Sequence, residues 1–254
     1  MGNESEKIEC MKHAGRINRQ AIEYGFKIVE PGMTLLELDS ELEKFILNAG
    51  AEPAFKGYLN YPNTACLSVN DVVIHGLPNE YKIQDGDYLT IDIGTKYGGW
   101  NVDAASTDII GDGDSLLLES TLDILLAELE VIKDGVSIYD IIVAAEKRAA
   151  KHRVNVFADF CGHKIGRSVH EEPVIPNSID SSKNSLGQKL LIRKYSGITF
   201  RTGDTLCLEP VATFGGTLTS VDSDGWTIRT RDGSRCAHFE HCILVEQEGY
   251  TLLS

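Results

Sequence analysis

The sequence predicts an α+β fold in which two pseudo-symmetric α/β halves meet along a central antiparallel sheet, and three observations predict it. In Gly86-Asp87-Tyr88-Leu89-Thr90-Ile91-Asp92-Ile93-Gly94, the residues Leu89, Ile91 and Ile93 alternate with Tyr88, Thr90 and Asp92, the period-two pattern of a strand with one buried face. Gly203-Asp204-Thr205-Leu206-Cys207-Leu208-Glu209-Pro210 repeats the Gly-Asp start and the alternation, with a carboxylate at the place of Asp92. Pro31-Gly32-Met33-Thr34-Leu35-Leu36-Glu37 and Asp134-Gly135-Val136-Ser137-Ile138-Tyr139-Asp140 each carry a Thr/Ser-x-x-acid capping box before an amphipathic run. Between these landmarks His75-Gly76-Leu77-Pro78 has a counterpart in His170-Glu171-Glu172-Pro173. Correspondences in the same order indicate one domain over residues 1–254 with an internal duplication, its halves roughly 1–112 and 113–254.

Taken in order, apolar residues from Ser5 to about Val29 recur near helical spacing and predict a first amphipathic helix. A second helix starts at the Thr34 cap and ends near Gly50, a good residue just past a helix end. Phe55 to Pro62 reads as an irregular aromatic loop, followed by short strands at Cys66–Val69 and Val72–His75. The strand carrying Asp92 turns at Lys96-Tyr97-Gly98-Gly99 and returns from Trp100 to Ile110. With the turn centred between Tyr97 and Gly98, Asp103 stands directly across from Asp92, and two carboxylates placed there repel unless a cation lies between them. Leu116 to Ile132 predicts a long helix that is apolar on more than one side and therefore buried, and Ser137 caps another to about His152. Asn177 to Ser196, rich in Ser, Asn, Lys and Gly, predicts an exposed loop or flap. Trp226–Thr230, a turn at Arg231-Asp232-Gly233-Ser234 and Arg235–Glu246 predict a second hairpin.

A chain of 254 residues has ample core to fold without staples. The net charge of −14 argues against a surface that tracks phosphates, so no direct nucleic-acid partner is expected. Six cysteines without a Cys-x-x-Cys pair indicate reduced thiols and a cytoplasmic protein. Met1 to Glu9 is polar and acidic, unlike a secretory signal. No stretch reaches the ~20 apolar residues of a membrane span.

The candidate metal ligands are Asp92, Asp103 and Glu209 on predicted strands, His163 in Cys161-Gly162-His163-Lys164, and Glu240 in His238-Phe239-Glu240-His241. Taken singly, each has an ordinary structural role open to it. Together, four carboxylates and one imidazole suit divalent Co, Mn, Fe or Zn, and bridging carboxylates hold two ions about 3.5–4 Å apart.

This set resembles the methionine aminopeptidases, of the pita-bread (creatinase/aminopeptidase-like) fold with its central curved sheet. Asp92 and Asp103, Gly162-His163, His170-Glu171-Glu172-Pro173, Glu209-Pro210, Glu240-His241, Leu67-Ser68-Val69-Asn70 and His75-Gly76-Leu77-Pro78 carry the resemblance, which runs from about residue 5 to the end and is nearest the short type I enzymes. It implies a dinuclear-metal aminopeptidase that hydrolyses the N-terminal methionine through a metal-bridging hydroxide. Asp103, His163, Glu209 and Glu240 would hold one ion, and Asp92, Asp103 and Glu240 the other. Glu209 would carry the proton, His75 would contact the substrate amide and His170 the polarised carbonyl. Phe55, Tyr58, Tyr61, Cys66, Val169 and Trp226 would line the substrate pocket, and His238 shares a face with Glu240. The implied partners are peptides and nascent chains, with ribosome proximity and a monomeric enzyme. Three departures stand out: Lys164 replaces a usual Gly, the stretch from His170 to Glu209 is longer than usual, and Phe55 and Val169 stand where Cys and Phe are usual. An Xaa-Pro or broader-specificity pita-bread aminopeptidase and a non-catalytic peptide-binding protein are the alternative readings.

Overall fold

A computed structural model describes residues 4–178 and 186–254. Helices α1 (Glu4–Ile28) and α2 (Leu35–Asn48) open the chain. In α1 the buried Met11, Ala14, Ile17, Ala21 and Ile22 recur at helical spacing and form one stripe. The predicted capping box of α2 is formed: Thr34 Oγ1 accepts from the Glu37 N–H at 3.2 Å, and the Glu37 carboxylate accepts from the Thr34 N–H at 2.8 Å. Gly50, with φ 81°, follows the helix end. Strands β1 (Glu52–Pro53), β2 (Ala65–Val69) and β3 (Val72–Ile74) precede the long hairpin of β4 (Tyr88–Tyr97) and β5 (Trp100–Ile109). The aromatic loop between β1 and β2 contains a 3-10 turn at Tyr58–Asn60.

Helices α3 (Leu116–Glu130) and α4 (Ile138–His152) follow, and Ser137 and Asp140 close the other predicted capping box. Thr34 and Ser137 each also form an isolated antiparallel bridge, to Lys82 and Thr199 respectively. Next come β6 (Asn155–Val156), β7 (Cys161–Lys164), β8 (Glu171–Pro176), α5 (Leu186–Tyr195), β9 (Thr205–Leu208) and β10 (Val211–Thr213). The last strands are β11 (Thr219–Val221), β12 (Ile228–Thr230), β13 (Cys236–His238), β14 (Glu240–Val245) and β15 (Tyr250–Leu252).

The main sheet is antiparallel and runs β1-β4-β5-β14-β9-β7-β8, with β2 added on β4 and β15 on β14. Leu89, Ile91 and Ile93 of β4 pack with Ile17, Ala21, Leu38 and Leu42 of α1 and α2. Leu206 and Leu208 of β9 and Ile243 and Val245 of β14 pack with Leu125, Leu129, Ile141 and Ile142 of α3 and α4. Period two then sends Asp92, Cys207 and Glu209 the other way, where the functional site lies.

Three expectations change. The β4–β5 register is Asp92↔Ala105 and Gly94↔Asp103, so Asp103 is not directly across from Asp92. The turn residues are Gly98 and Gly99, both at positive φ (57° and 77°), which suits a two-residue hairpin loop and moves its centre by one residue. That shifts the pairing by two, so both carboxylates stay on one face. The predicted flap is in part helical: residues 186–195 form α5, with Leu191 and Tyr195 packed on the α3/α4 core, and residues 179–185 lie outside the described residues, as do Met1 to Asn3 of the predicted non-signal start. The second predicted hairpin does not pair with itself. β12 pairs with β11 and β3, β13 pairs with β10, and β14 enters the main sheet. The 231–234 turn exists, but Asp232 accepts from the Gly216 and Ser234 N–H groups and directs the chain from one sheet to another. As expected, none of the six cysteines is in a disulfide.

Candidate functional site

A cavity of about 120 Å³ opens beside the site face of the sheet. Its floor carries Asp92 from β4, Asp103 from β5, His163 from β7, Glu209 beyond β9 and Glu240 from β14, so all five sequence-predicted ligands meet there. Ligand atoms of Asp92, Asp103 and Glu240 lie within 4.8 Å of one another, as do those of His163, Cys207 and Glu240. Glu240 belongs to both groups. His163 Nε2 is 3.5 Å from Glu209 Oε1, and His238 Nε2 is 4.0 Å from Glu209 Oε2. The His163 Nδ1–H donates to the Lys164 carbonyl at 3.0 Å, which leaves the Nε2 lone pair facing the floor.

Local sequence builds these positions. Thr107 on β5 holds the neighbouring segment: its Oγ1 accepts from the His238 N–H and donates to the His238 carbonyl, both at 2.8 Å. Two residues on, Glu240 pairs across from Ala105 and enters the site on the same face. Gly94, opposite Asp103, has no side chain because the Phe55 ring occupies that space; a Cβ there would lie 2.5 Å from Phe55 Cε1.

The electrostatics ask for positive charge. Burial and mutual repulsion hold Asp92, Glu209 and Glu240 well above the usual carboxylate range, and burial pushes Asp103 up to about 7. Asp92 Oδ1, Asp103 Oδ1 and Glu240 Oε1 are buried without a hydrogen-bond partner. Among the described residues the only basic groups within 4.0 Å of these carboxylates are His163 and His238, and burial lowers both imidazoles to about 3, so they are neutral. Carboxylates packed this way repel unless a cation sits among them, and orphaned oxygens with a neutral imidazole are the donors a divalent ion takes. The residues therefore fit divalent metal.

Lys164 does not supply the charge. It follows His163 on β7 and points the other way, its Nζ 2.6 Å from Asp204 Oδ1.

The predicted pocket residues form the wall above this floor. Phe55, Tyr61, Cys66 and Val169 are buried in one cluster, with Tyr58 and Trp226 packed on it. Trp226 meets Tyr61 edge-on at 5.1 Å between ring centroids, and the Tyr61 hydroxyl donates to the Ala65 carbonyl at 2.9 Å. Cys66 stands directly across from Asp92, where wall and floor join. Val169 contributes to the packing from behind the lining.

His75 and His170 flank the opening. Burial and the neighbouring His170 lower His75 to about 4, and partial burial lowers His170. The His170 ring lies 4.4 Å from that of His163, and its Nδ1 is 3.1 Å from the Tyr58 hydroxyl.

Sequence reasoning missed Cys207, whose Sγ joins a ligand group, and Leu59 and Ile74, which line the cavity. Cys207 is two residues before Glu209 and so shares its face, a signal present in the same alternation that found Glu209. Leu59 lines the mouth, 68% exposed and at φ 50°, a conformation no sequence pattern announced.

Residues 9–247 match metallopeptidase family M24. The chain is 34% identical over 251 residues to methionine aminopeptidase 1 of Bacillus subtilis, covering 98% of this chain and 96% of the relative. It is 34% identical over 258 residues to the methionine aminopeptidase of Aquifex aeolicus, with 98% and 96% covered. Among solved structures, the methionine aminopeptidase of Thermotoga maritima superposes with a TM-score of 0.88 at 36% identity, covering 98% of this chain and 96% of that one. The prolidase of Pyrococcus furiosus shares the fold, with a TM-score of 0.75 at 20% identity, and this chain covers 63% of its length.

Proposed function

The chain belongs to metallopeptidase family M24, among the methionine aminopeptidases of pita-bread fold, and from that premise we propose that it removes the initiator methionine from peptides and nascent chains with two divalent ions. The chain is thus a metallo-aminopeptidase; the substrate, the ion count and the roles below are our reading. The observation that carries it is the meeting of a carboxylate floor and an apolar wall in one cavity. Asp92, Asp103 and Glu240 would hold one ion and Asp103, His163, Glu209 and Glu240 the other, a division supported by the membership of Glu240 in both ligand groups. Divalent ions, of which Co, Mn, Fe and Zn suit these donors, bring the pKa of bound water toward neutrality and so supply the nucleophile.

The protein's own groups do the rest. Glu209, between His163 and His238, takes the proton of the attacking water and returns it to the departing amine. His170 and His75 are neutral at physiological pH, and each offers one N–H. With Nδ1 of His170 engaged by Tyr58, its other nitrogen donates to the carbonyl oxygen as charge develops. Phe55, Tyr58, Tyr61, Cys66 and Trp226 take the first side chain, with Val169 packed behind them. Phe55 fills space that a smaller residue would leave and Val169 yields some, so the unbranched thioether of Met, which adapts to irregular apolar space, is preferred.

The duplicated single-domain organisation is supported by the two capping boxes and their matching bridges at Thr34 and Ser137. Nascent-chain substrates imply work in the cytoplasm beside the ribosome, as a monomer; among the described residues no helix is long and apolar enough to cross a membrane. The test compares Met-Ala, Leu-Ala, Ala-Ala and Xaa-Pro peptides on metal-depleted and metal-restored protein. Metal-dependent cleavage is expected with Met-Ala best and Leu-Ala slower, since a mismatch of about one methylene discriminates by ~1–3 kcal/mol. Equal rates on Ala-Ala would refute Met specificity, and a requirement for Pro in second position would make it an Xaa-Pro enzyme.

A further inference from the structure

Beside the floor of the cavity, next to His163 and Glu240, lies one donor that the roles above leave unused. Cys207 lies on β9, fully buried, two residues before Glu209 and on its face. It stands directly across from His163 on one side and from Cys242 on the other. Its Sγ, a His163 ring nitrogen and a Glu240 oxygen are all within 4.8 Å of one another, and Glu240 Oε1 is buried without a partner. The alternation that turns Leu206 and Leu208 into the helix-side core turns Cys207 away from it.

We propose that Cys207 is a further protein ligand of the centre, a thiolate that joins His163 and Glu240 on one ion and makes that position select zinc or cobalt over magnesium or manganese. The inference rests on the metal-centre reading above and is independent of the preference for Met. A Zn–N bond of about 2.0 Å and a Zn–S bond of about 2.3 Å put the two donors of one ion at most about 4.3 Å apart. Atoms already within 4.8 Å close on such an ion by small side-chain rotations. On coordination the S–H bond breaks, the sulfur keeps the electron pair and binds the ion, and the proton leaves to solvent. Sulfur is the soft donor in an otherwise oxygen-rich set, so its effect is on which ion is held and how tightly. Cys207 is buried in a cluster with Met11, Val102 and Leu244, and the Cys242 thiol is its further polar neighbour.

The test is a cobalt(II) titration of the metal-free protein, with bound cobalt counted by elemental analysis and the near-ultraviolet spectrum recorded. The expected result is a thiolate-to-cobalt charge-transfer band with the first equivalent, retained in Cys242→Ser and lost in Cys207→Ser, which still binds cobalt. Zinc competition should show the first zinc held about 10-fold or more weakly in Cys207→Ser, the size of effect that removing groups around a metal produces. Bound cobalt without the band in the unaltered protein, a result that needs no variant to fold, overturns the proposal. So does a band that survives in Cys207→Ser. Failure of the unaltered protein to bind cobalt at all overturns the centre itself and this inference with it.

Discussion

Asp103 is buried at 3% exposure with Oδ1 unpartnered, and the proposed centre assigns it to both ions. Asp103→Asn keeps the volume and removes the charge. We expect activity at background and bound metal reduced, while the metal-free variant melts no lower than the metal-free parent, because a buried carboxylate raised to about 7 is replaced by a neutral amide. Near-parental turnover with full metal content would remove Asp103 from the centre. His170 is proposed to act on the carbonyl and not on metal. His170→Ala should lower kcat about 100-fold with metal stoichiometry unchanged, the pattern of a contact made mainly in the transition state. Loss of metal instead would make His170 a ligand. Most residues of the candidate site were legible in the sequence because the proposed ligands on strands obey period two and stand beside glycine or proline landmarks. Cys207 was equally legible by position, but nothing in the sequence separates its thiol from those of the other five cysteines, all buried or half-buried.

The loop that carries Val169 and His170 is held by the tip of the β4–β5 hairpin. Asn101 donates its backbone N–H to the Gly166 carbonyl at 2.9 Å, and its Nδ2 lies 3.0 Å from the carbonyls of both Gly166 and Arg167. The Arg167 guanidinium lies 3.8 Å above the Trp100 ring and donates to the Gly98 and Gly99 carbonyls. An exposed cation–π contact is worth ~0.5–1 kcal/mol, so Arg167→Ala should lower kcat/KM about two- to fivefold, with bound metal unchanged. Unaltered peptide kinetics in that variant would show that the clamp does not position the loop. Elements were read from the sequence with uneven success, for physical reasons. The two-residue error in the hairpin register was harmless because a shift of two preserves the face, whereas a shift of one would have sent Asp103 into the helix-side core. The failed second hairpin shows that a turn signal gives the turn and not the partner: β12, β13 and β14 are chosen by long-range pairing with β3, β10 and β9. Helix α5 was hidden because, among its described side chains, Leu191 and Tyr195, one turn apart, pack on the core while Leu186 and Leu190 are exposed.

At the scale of the whole molecule, a buried carboxyl outside the proposed ligand set faces Glu209 electrostatically. Glu128 of α3 is 2% exposed, its Oε2 has no hydrogen-bond partner, and burial pushes its carboxyl up to about 8. The folded state therefore keeps a proton that the unfolded chain, with a glutamate pKa of about 4.3, gives up. Stability from this group is complete below about pH 4 and is lost as pH rises toward about 8. In metal-free protein, Glu128→Gln should lose less stability than the parent between pH 5 and about 8 by denaturant unfolding; parallel losses would mean that Glu128 is already ionised when folded. The global plan was legible because paired helix caps and paired acidic strands recur in order, and the resemblance that the ligands carry spans nearly the whole chain. What escaped was the division of strands among three sheets, which depends on contacts between residues far apart in sequence. The most direct test of a two-ion centre is anomalous scattering from crystals of the protein loaded with cobalt or zinc. Two peaks about 3.5–4 Å apart among Asp92, Asp103, His163, Glu209 and Glu240 are expected, with Asp103 and Glu240 touching both. A lone peak, or peaks away from these five side chains, would contradict it.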